Sequence, residues 1–151
     1  MPANPMIFVS PRVPAEAAPA PLPASLPKKV PMILVAGPYR SGTGDDPALI
    51  RANMKRMEEA ALALFRGGVL GVTGEALALP LIATAGGGRL GDAVWDAIFH
   101  PVAERLVPHC DACLRIGGPS EGADRMVALF RAMGRPVYRS VEEALAGRAV
   151  P

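Results

Sequence analysis

"PMILVAGPY", Pro31 to Tyr39, is the stretch that decides the fold of this chain. It carries no charged residue, and a Gly-Pro pair closes its apolar run. Strands that are buried on both faces of a parallel sheet have this continuous apolar character. We therefore expect an interior strand at the start of an ordered domain.

Helical and extended patterns alternate downstream of this strand. In order, the sequence predicts a helix at 47–68, a strand at 69–74, a short apolar helix or irregular segment at 75–88, a helix at 90–110, a strand at 111–118, a helix at 120–134, a strand at 135–140 and a helix at 141–149. Pro101 is expected to kink or break the helix that contains it. Alternation of this kind predicts a small doubly wound α/β domain, with a parallel sheet and helices on both faces.

The first 30 residues differ in composition from the rest. They hold about half of the 17 prolines of the chain, and proline disfavours helices and central strands. We expect an extended or disordered tail at 1–30, followed by a single domain at 31–151.

Composition limits the classes of partner. Half of the 151 residues are hydrophobic, which is enough for the core of one domain. The formal net charge is +2 and no more than two basic residues are adjacent, so we expect no nucleic-acid partner. No run of about 18 apolar residues is present, so we expect no membrane span.

Two cysteines, Cys110 and Cys113, have C-x-x-C spacing. We place both in a strand that enters a turn, where they would point to opposite faces. His100 and His109 do not supply a second pair of zinc ligands, so no metal site is predicted. The favoured interpretation is two reduced, mostly buried thiols in a cytoplasmic protein. A redox or metal protein built on the pair is the alternative.

The loops after the strands are where ligands bind in doubly wound sheets. In the first of them, Gly37 lets a ligand approach the backbone, and Tyr39 and Arg40 are suited to stack on a base or meet a phosphate. Glu75 follows the second strand. It is a candidate general base or hydroxyl acceptor, and equally an ordinary acidic residue at a helix start.

The third loop, "GGPSEGAD" at 117–124, leads from a strand into a helix. Ser120 is a natural N-cap, and the free amides at a helix start favour an anion. Gly122 lies in the first turn, where it costs about 1 kcal/mol relative to Ala. Close approach of a ligand and close helix–strand packing both explain a glycine there.

Two longer segments carry a resemblance to a known family. "MILVAGPY", followed further on by "CDACLRIGGPSEGADRMVALFRAMGRPVY", resembles the nucleoside 2-deoxyribosyltransferase superfamily, and its small, mostly uncharacterised members most of all. The resemblance implies a flavodoxin-like domain that binds a nucleoside or nucleotide as its small-molecule partner. It further implies a homo-oligomer, a dimer or larger, in which a neighbouring subunit often completes the site. It implies no cofactor.

The resemblance also identifies a departure from the family. Ser120, Gly122 and Ala123 match the family motif, but the position of its nucleophilic Glu falls on Met126. A thioether cannot capture the sugar carbon as that carboxylate does. Three explanations stay open: another carboxylate replaces it, the protein binds without catalysis, or it catalyses a different reaction on a related ligand.

The sequence therefore predicts a set of site residues and leaves others without a role in the site. The candidate catalytic carboxylates are Glu75, Asp124 and Glu121, and the candidate ligand-binding residues are Gly37, Pro38, Tyr39, Arg40, Gly118, Ser120, Gly122 and Ala123. Met126 and Trp95 fit core positions of their helices. Asp111 is expected to bond backbone. Asp92, Asp96 and Glu104 lie in a segment where the family often holds the sugar with an acid, but none is assigned.

Overall fold

The computed structural model describes residues 20–147. Within the expected tail, residues 20–30 are exposed and belong to no helix or strand. The rest of that tail, residues 1–19, and the last two positions of the predicted final helix lie outside the described residues.

Four parallel strands form the sheet. They are β1 at Met32–Ala36, β2 at Leu70–Thr73, β3 at Ala112–Arg115 and β4 at Val137–Tyr138, in the order β2-β1-β3-β4. β1 pairs with both β2 and β3, so it is the interior strand that its apolar run predicted. Its three middle residues, Ile33 to Val35, are each 2% exposed or less.

In the described part of the chain, five α-helices connect and cover the strands. They are α1 at Pro47–Arg66, α2 at Gly74–Thr84, α3 at Ala93–Leu106, α4 at Glu121–Ala132 and α5 at Val141–Gly147. The apolar segment after β2 is thus helical, and α2 runs through Pro80. Likewise α3 is not broken at Pro101, since packing of α2 on α3 offsets the hydrogen bond that a proline removes.

Alternate residues of β1 pack into two cores. Ile33 and Val35 pack with α1 and α5 on one face of the sheet. Leu34 and Ala36 pack with α4 and with the end of α3 on the other face. Helices therefore cover both faces, and this confirms the predicted small, doubly wound, flavodoxin-like class.

The start of β3 corrects one prediction and confirms another. Cys110 precedes β3, at the end of a short 3-10 turn (Val107–His109), so the two thiols are not three strand positions apart. Both are free and buried in the same core, where opposite faces were expected. Asp111 bonds backbone as predicted, because its carboxylate accepts the N–H of Met32 at 2.8 Å.

Within the described part of the chain, no helix combines the length and apolar character that crossing a membrane requires.

Candidate functional site

A cleft of about 260 Å³ lies at the carboxyl ends of the strands. The chain leaves β1 toward β2 on one side, and β3 lies on the other, so this is the switch point where doubly wound sheets bind ligands. The walls are the β1–α1 loop, the start of α2, one side of α3 and the start of α4. The volume is just below the roughly 300–1,000 Å³ usual for small-molecule sites.

Helix α3 supplies an aromatic wall. Trp95 and Phe99 are one helical turn apart and stack with centroids 4.6 Å apart. Tyr39 joins them from the β1–α1 loop, 5.7 Å from the Trp95 ring and 5.5 Å from the Phe99 ring. Asp92 caps α3 by accepting the N–H of Trp95 at 2.8 Å. This cap stabilises the first turn of α3, which carries Trp95.

The α3 side of this wall is the part of the site that the sequence did not predict. Trp95 is buried as expected, yet it also lines the cleft together with Asp96, Phe99 and His100. Two aromatic and two polar residues repeat here at i and i+4, and that spacing places them on neighbouring rows of one helix. The i, i+4 spacing of these aromatic and polar residues is visible in the sequence, and such a mixed row is typical neither of a core face nor of a solvent-exposed face.

Glu75 is the second residue of α2, whose N-cap is Thr73. It is partly buried and lines the cleft beside Tyr39. Burial raises the pKa of the Glu75 carboxyl to about 7. None of the ion pairs among the described residues includes it. Near neutral pH the group is therefore divided between its acid and its carboxylate forms, and it can donate or accept a proton.

Arg40 lies in the cleft with its charge already paired. Its guanidinium donates two hydrogen bonds of 2.9 Å to the carboxylate of Asp45, and this pairing is the main reason that its pKa is raised. The same group lies over the Trp95 ring, 6.0 Å from the centroid. Arg40 thus closes one end of the aromatic wall.

The start of α4 forms another wall of the cleft. The buried Ser120 caps the helix, with its Oγ accepting the N–H of Ala123 at 3.2 Å. A Cβ on Gly122 would lie 2.9 Å from Cε1 of His100. Gly122 therefore lets α4 approach the imidazole of His100 on α3. The structural reason expected for this glycine was close packing of the helix against a strand. Glu121 and Ala123 also line the cleft.

Three predicted site residues lie outside this lining. Asp124 is exposed and pairs with Arg115 at 3.0 Å, and it does not belong to the cleft lining. Gly118 offers its carbonyl to the same guanidinium at 2.8 Å. Pro38 packs close to Gly117, where a Cβ would come within 2.7 Å of the proline ring.

Met126 belongs both to the core and to the lining of the cleft. It is 5% exposed and packs in the core with Phe130, as its helical spacing predicted. It also borders the cleft. The position at which the family resemblance places a nucleophile is thus close to the cavity and holds no carboxylate.

The described residues contain no group of three or more His, Cys, Asp or Glu that could hold a metal ion. Burial raises the pKa of the Cys110 thiol to about 11 and that of Cys113 to about 12. Both thiols are protonated at neutral pH and are therefore poor nucleophiles.

No protein-family model matches the chain, and no curated protein matches it. The relationship to the deoxyribosyltransferases accordingly remains a prediction from the motifs.

Proposed function

We propose that this protein binds a nucleoside or nucleotide in the cleft and acts at the N-glycosidic bond, with Glu75 transferring the proton. The observation that carries the proposal is the pairing, in one small cleft at the switch point, of an aromatic wall with a carboxyl group whose pKa is about 7. The family resemblance at Gly37, Tyr39, Ser120 and Gly122 supports it independently.

The aromatic wall would hold the base, because every base can stack on an aromatic ring. Glu75 suits proton transfer, since a group whose pKa lies near the working pH can both give and take a proton. As an acid it would protonate the departing base, and as a carboxylate it would take the proton of an attacking water. With Met126 at the family's nucleophile position, water is the simplest acceptor of the sugar. We therefore favour hydrolysis over transfer.

A binding module without catalysis is the second candidate. It is favoured by one observation, the absence of a carboxylate at Met126 on the wall of the cleft. Such a protein would keep the same ligand and release no base.

The test is chromatographic detection of free base after incubation with deoxynucleosides, ribonucleosides and their 5′-monophosphates. We expect Glu75→Gln to lower the rate by about 10²- to 10⁴-fold, as loss of a general acid or base does. The exposed Glu58→Gln on α1 is the matched control and should keep the wild-type rate. A Glu75→Gln enzyme of unchanged rate contradicts the role of Glu75. Binding without release from any substrate favours the binding module.

A cytoplasmic homo-oligomer is part of the same proposal. Leu77 and Leu81 are exposed on α2, which supports association through that helix. Two free, buried thiols suit a reducing compartment. A nucleic-acid partner is not proposed, because a net charge of +2 offers little attraction to phosphates.

A further inference from the structure

The charges around the cleft are mostly negative. Glu75, Asp96 and Glu121 line it, and Asp96 and Glu121 are exposed. Among the lining residues Arg40 is the single Lys or Arg, and Asp45 binds it through both carboxylate oxygens. The other Arg close to these loops, Arg115, donates its hydrogen bonds to the β3–α4 loop and to Asp124. Among residues 20–147, no unpaired guanidinium or ammonium therefore faces the cavity.

This balance opposes a phosphate group. Phosphate sites usually combine helix amides with Arg or Lys. At the start of α4 the amide of Ala123 is already capped by Ser120, and the first turn carries the negative charge of Glu121, which also lines the cleft. A cavity of about 260 Å³ is also small for a ligand that carries a base, a sugar and a phosphate.

The same balance favours a positive charge on the base. Aromatic rings attract cations through their faces, and the carboxylates at the rim add a Coulombic attraction that is screened but not removed by water. The Arg40 guanidinium already lies over the Trp95 ring, so the rings left to receive a cation are those of Tyr39 and Phe99. Both are only partly buried, and they line the same cleft as the exposed carboxylates of Asp96 and Glu121. A flat, cationic heterocycle fits both features.

A cationic base also removes a chemical difficulty. When a quaternised ring nitrogen leaves C1′, the electron pair of the C–N bond neutralises its charge, so no proton has to be supplied to the leaving group. The oxygen of water forms the new bond to C1′, and the proton of that water passes to the Glu75 carboxylate. Such a reaction does not need the nucleophile that Met126 cannot provide.

We infer that the substrate class of this cleft is an unphosphorylated nucleoside whose base carries a positive charge, such as a pyridinium or N-alkylated purine riboside. This inference rests on the proposed function, because it concerns the same cleft and the same bond.

Binding measurements on ligands of similar shape but different charge test this inference. Nicotinamide riboside, whose pyridinium ring is permanently charged, is compared by titration calorimetry with its uncharged 1,4-dihydro form and with its 5′-phosphate. We expect the charged nucleoside to bind at least about tenfold more tightly than the dihydro form, and the phosphate to weaken binding. Release of nicotinamide, relative to the rate without protein, should exceed the corresponding enhancement for inosine.

Two variants locate the charge effect. Asp96→Asn and Glu121→Gln should each lower the preference for the charged form by about two- to fivefold, as expected for one partly screened charge. Both residues are exposed, so neither change removes core packing. Glu58→Gln on α1 removes an exposed carboxylate outside the cleft and should leave the preference unchanged.

The outcomes distinguish the two proposals. Equal binding of the charged and dihydro forms, or tighter binding of the 5′-phosphate, overturns the inference about charge. Base release from any nucleoside would in that case still support the proposed function. If no nucleoside or nucleotide, charged or uncharged, binds, the proposed function is wrong and the inference falls with it.

Discussion

The carboxyl group of Glu75 should make the stability of this protein depend on pH between about pH 5 and pH 8. Burial raises its pKa to about 7, whereas an unfolded chain leaves a Glu near 4.3. Between these values the folded state binds more protons than the unfolded state, so the free energy of unfolding falls as pH rises. Tyr39 is near enough to respond to Glu75, but it titrates at much higher pH.

We therefore predict that Glu75→Gln removes this loss of stability. Each pKa unit corresponds to about 1.4 kcal/mol, and partial exposure reduces the effect, so we expect the variant to gain about 1–2 kcal/mol over wild type between pH 5 and pH 8. Urea unfolding at several pH values measures this. A constant difference between the two proteins across that range would show that Glu75 has an ordinary pKa.

Residues 110 and 113 give a second prediction at this scale. Burial holds both thiols protonated, with pKa values of about 11 and 12, so native protein should react with a thiol reagent such as Ellman's reagent far more slowly than protein in denaturant. Protection of about 100-fold or more is expected. Fast labelling of the native protein, or a disulfide after purification without reductant, would support the redox alternative instead.

The sequence predicted individual site residues to different degrees. Tyr39 and Glu75 were found because each follows a strand, and chain topology alone brings such positions to one edge of the sheet. Asp124 lies outside the cleft lining and pairs with Arg115 of the preceding strand, and sequence spacing does not show that pairing. The role of Arg115 was missed for the same reason, since only the folded loop brings its partners together.

At the scale of elements, the β3–α4 loop depends on Arg115. Its side chain is 10% exposed, donates to the carbonyls of Ile116 and Gly118, and pairs with Asp124. One buried cation thus holds both the turn and the first turn of α4, and through them the wall of the cleft.

We predict that Arg115→Met lowers the free energy of unfolding by about 1.5–3 kcal/mol, because hydrogen bonds to charged groups are the strong ones and a Met side chain can donate none of them to the β3–α4 loop or to Asp124. Thermal or urea unfolding gives the value. Arg125→Met is the matched control on α4. Arg125 forms an exposed pair with Glu104, and losing that pair should cost less than about 1 kcal/mol. Equal losses in the two variants would refute the structural role of Arg115.

The helices and strands themselves were predictable from the sequence. Where each helix lies across the sheet was not. The apolar run of β1 and the alternation of patterns were sufficient for a parallel sheet with helices on both faces. Nothing in the segment between α2 and α3 shows where α3 lies across the sheet. That placement puts Phe99 and His100 on the wall of the cleft, and it follows from packing of Trp95 against Ala78 and Ile82 of α2.

At the scale of the whole molecule, α2 is unusual for a helix at the edge of a domain. After Glu75 it carries no charged residue, and both Leu77 and Leu81 are about half exposed, at 45% and 51%. A helix that is apolar on all sides is normally buried. It lies after β2, the edge strand of the sheet, so an identical copy can pack against it about a twofold axis, the commonest symmetry of oligomers.

We predict that the wild-type protein is a dimer or larger and that the double change of Leu77→Glu and Leu81→Glu gives a folded monomer. Two carboxylates buried in an apolar interface without partners would make association unfavourable, whereas in the separated chain both positions stay in water. Light scattering coupled to size-exclusion chromatography measures the mass, and circular dichroism checks the fold.

Leu49→Glu on α1, 48% exposed, is the matched control and should keep the wild-type mass. A monomeric wild-type protein, or an oligomer unaffected by the double change, would exclude α2 as the interface. If the double variant loses base release and Leu49→Glu does not, the neighbouring chain also contributes to the cleft, which the start of α2 lines through Glu75.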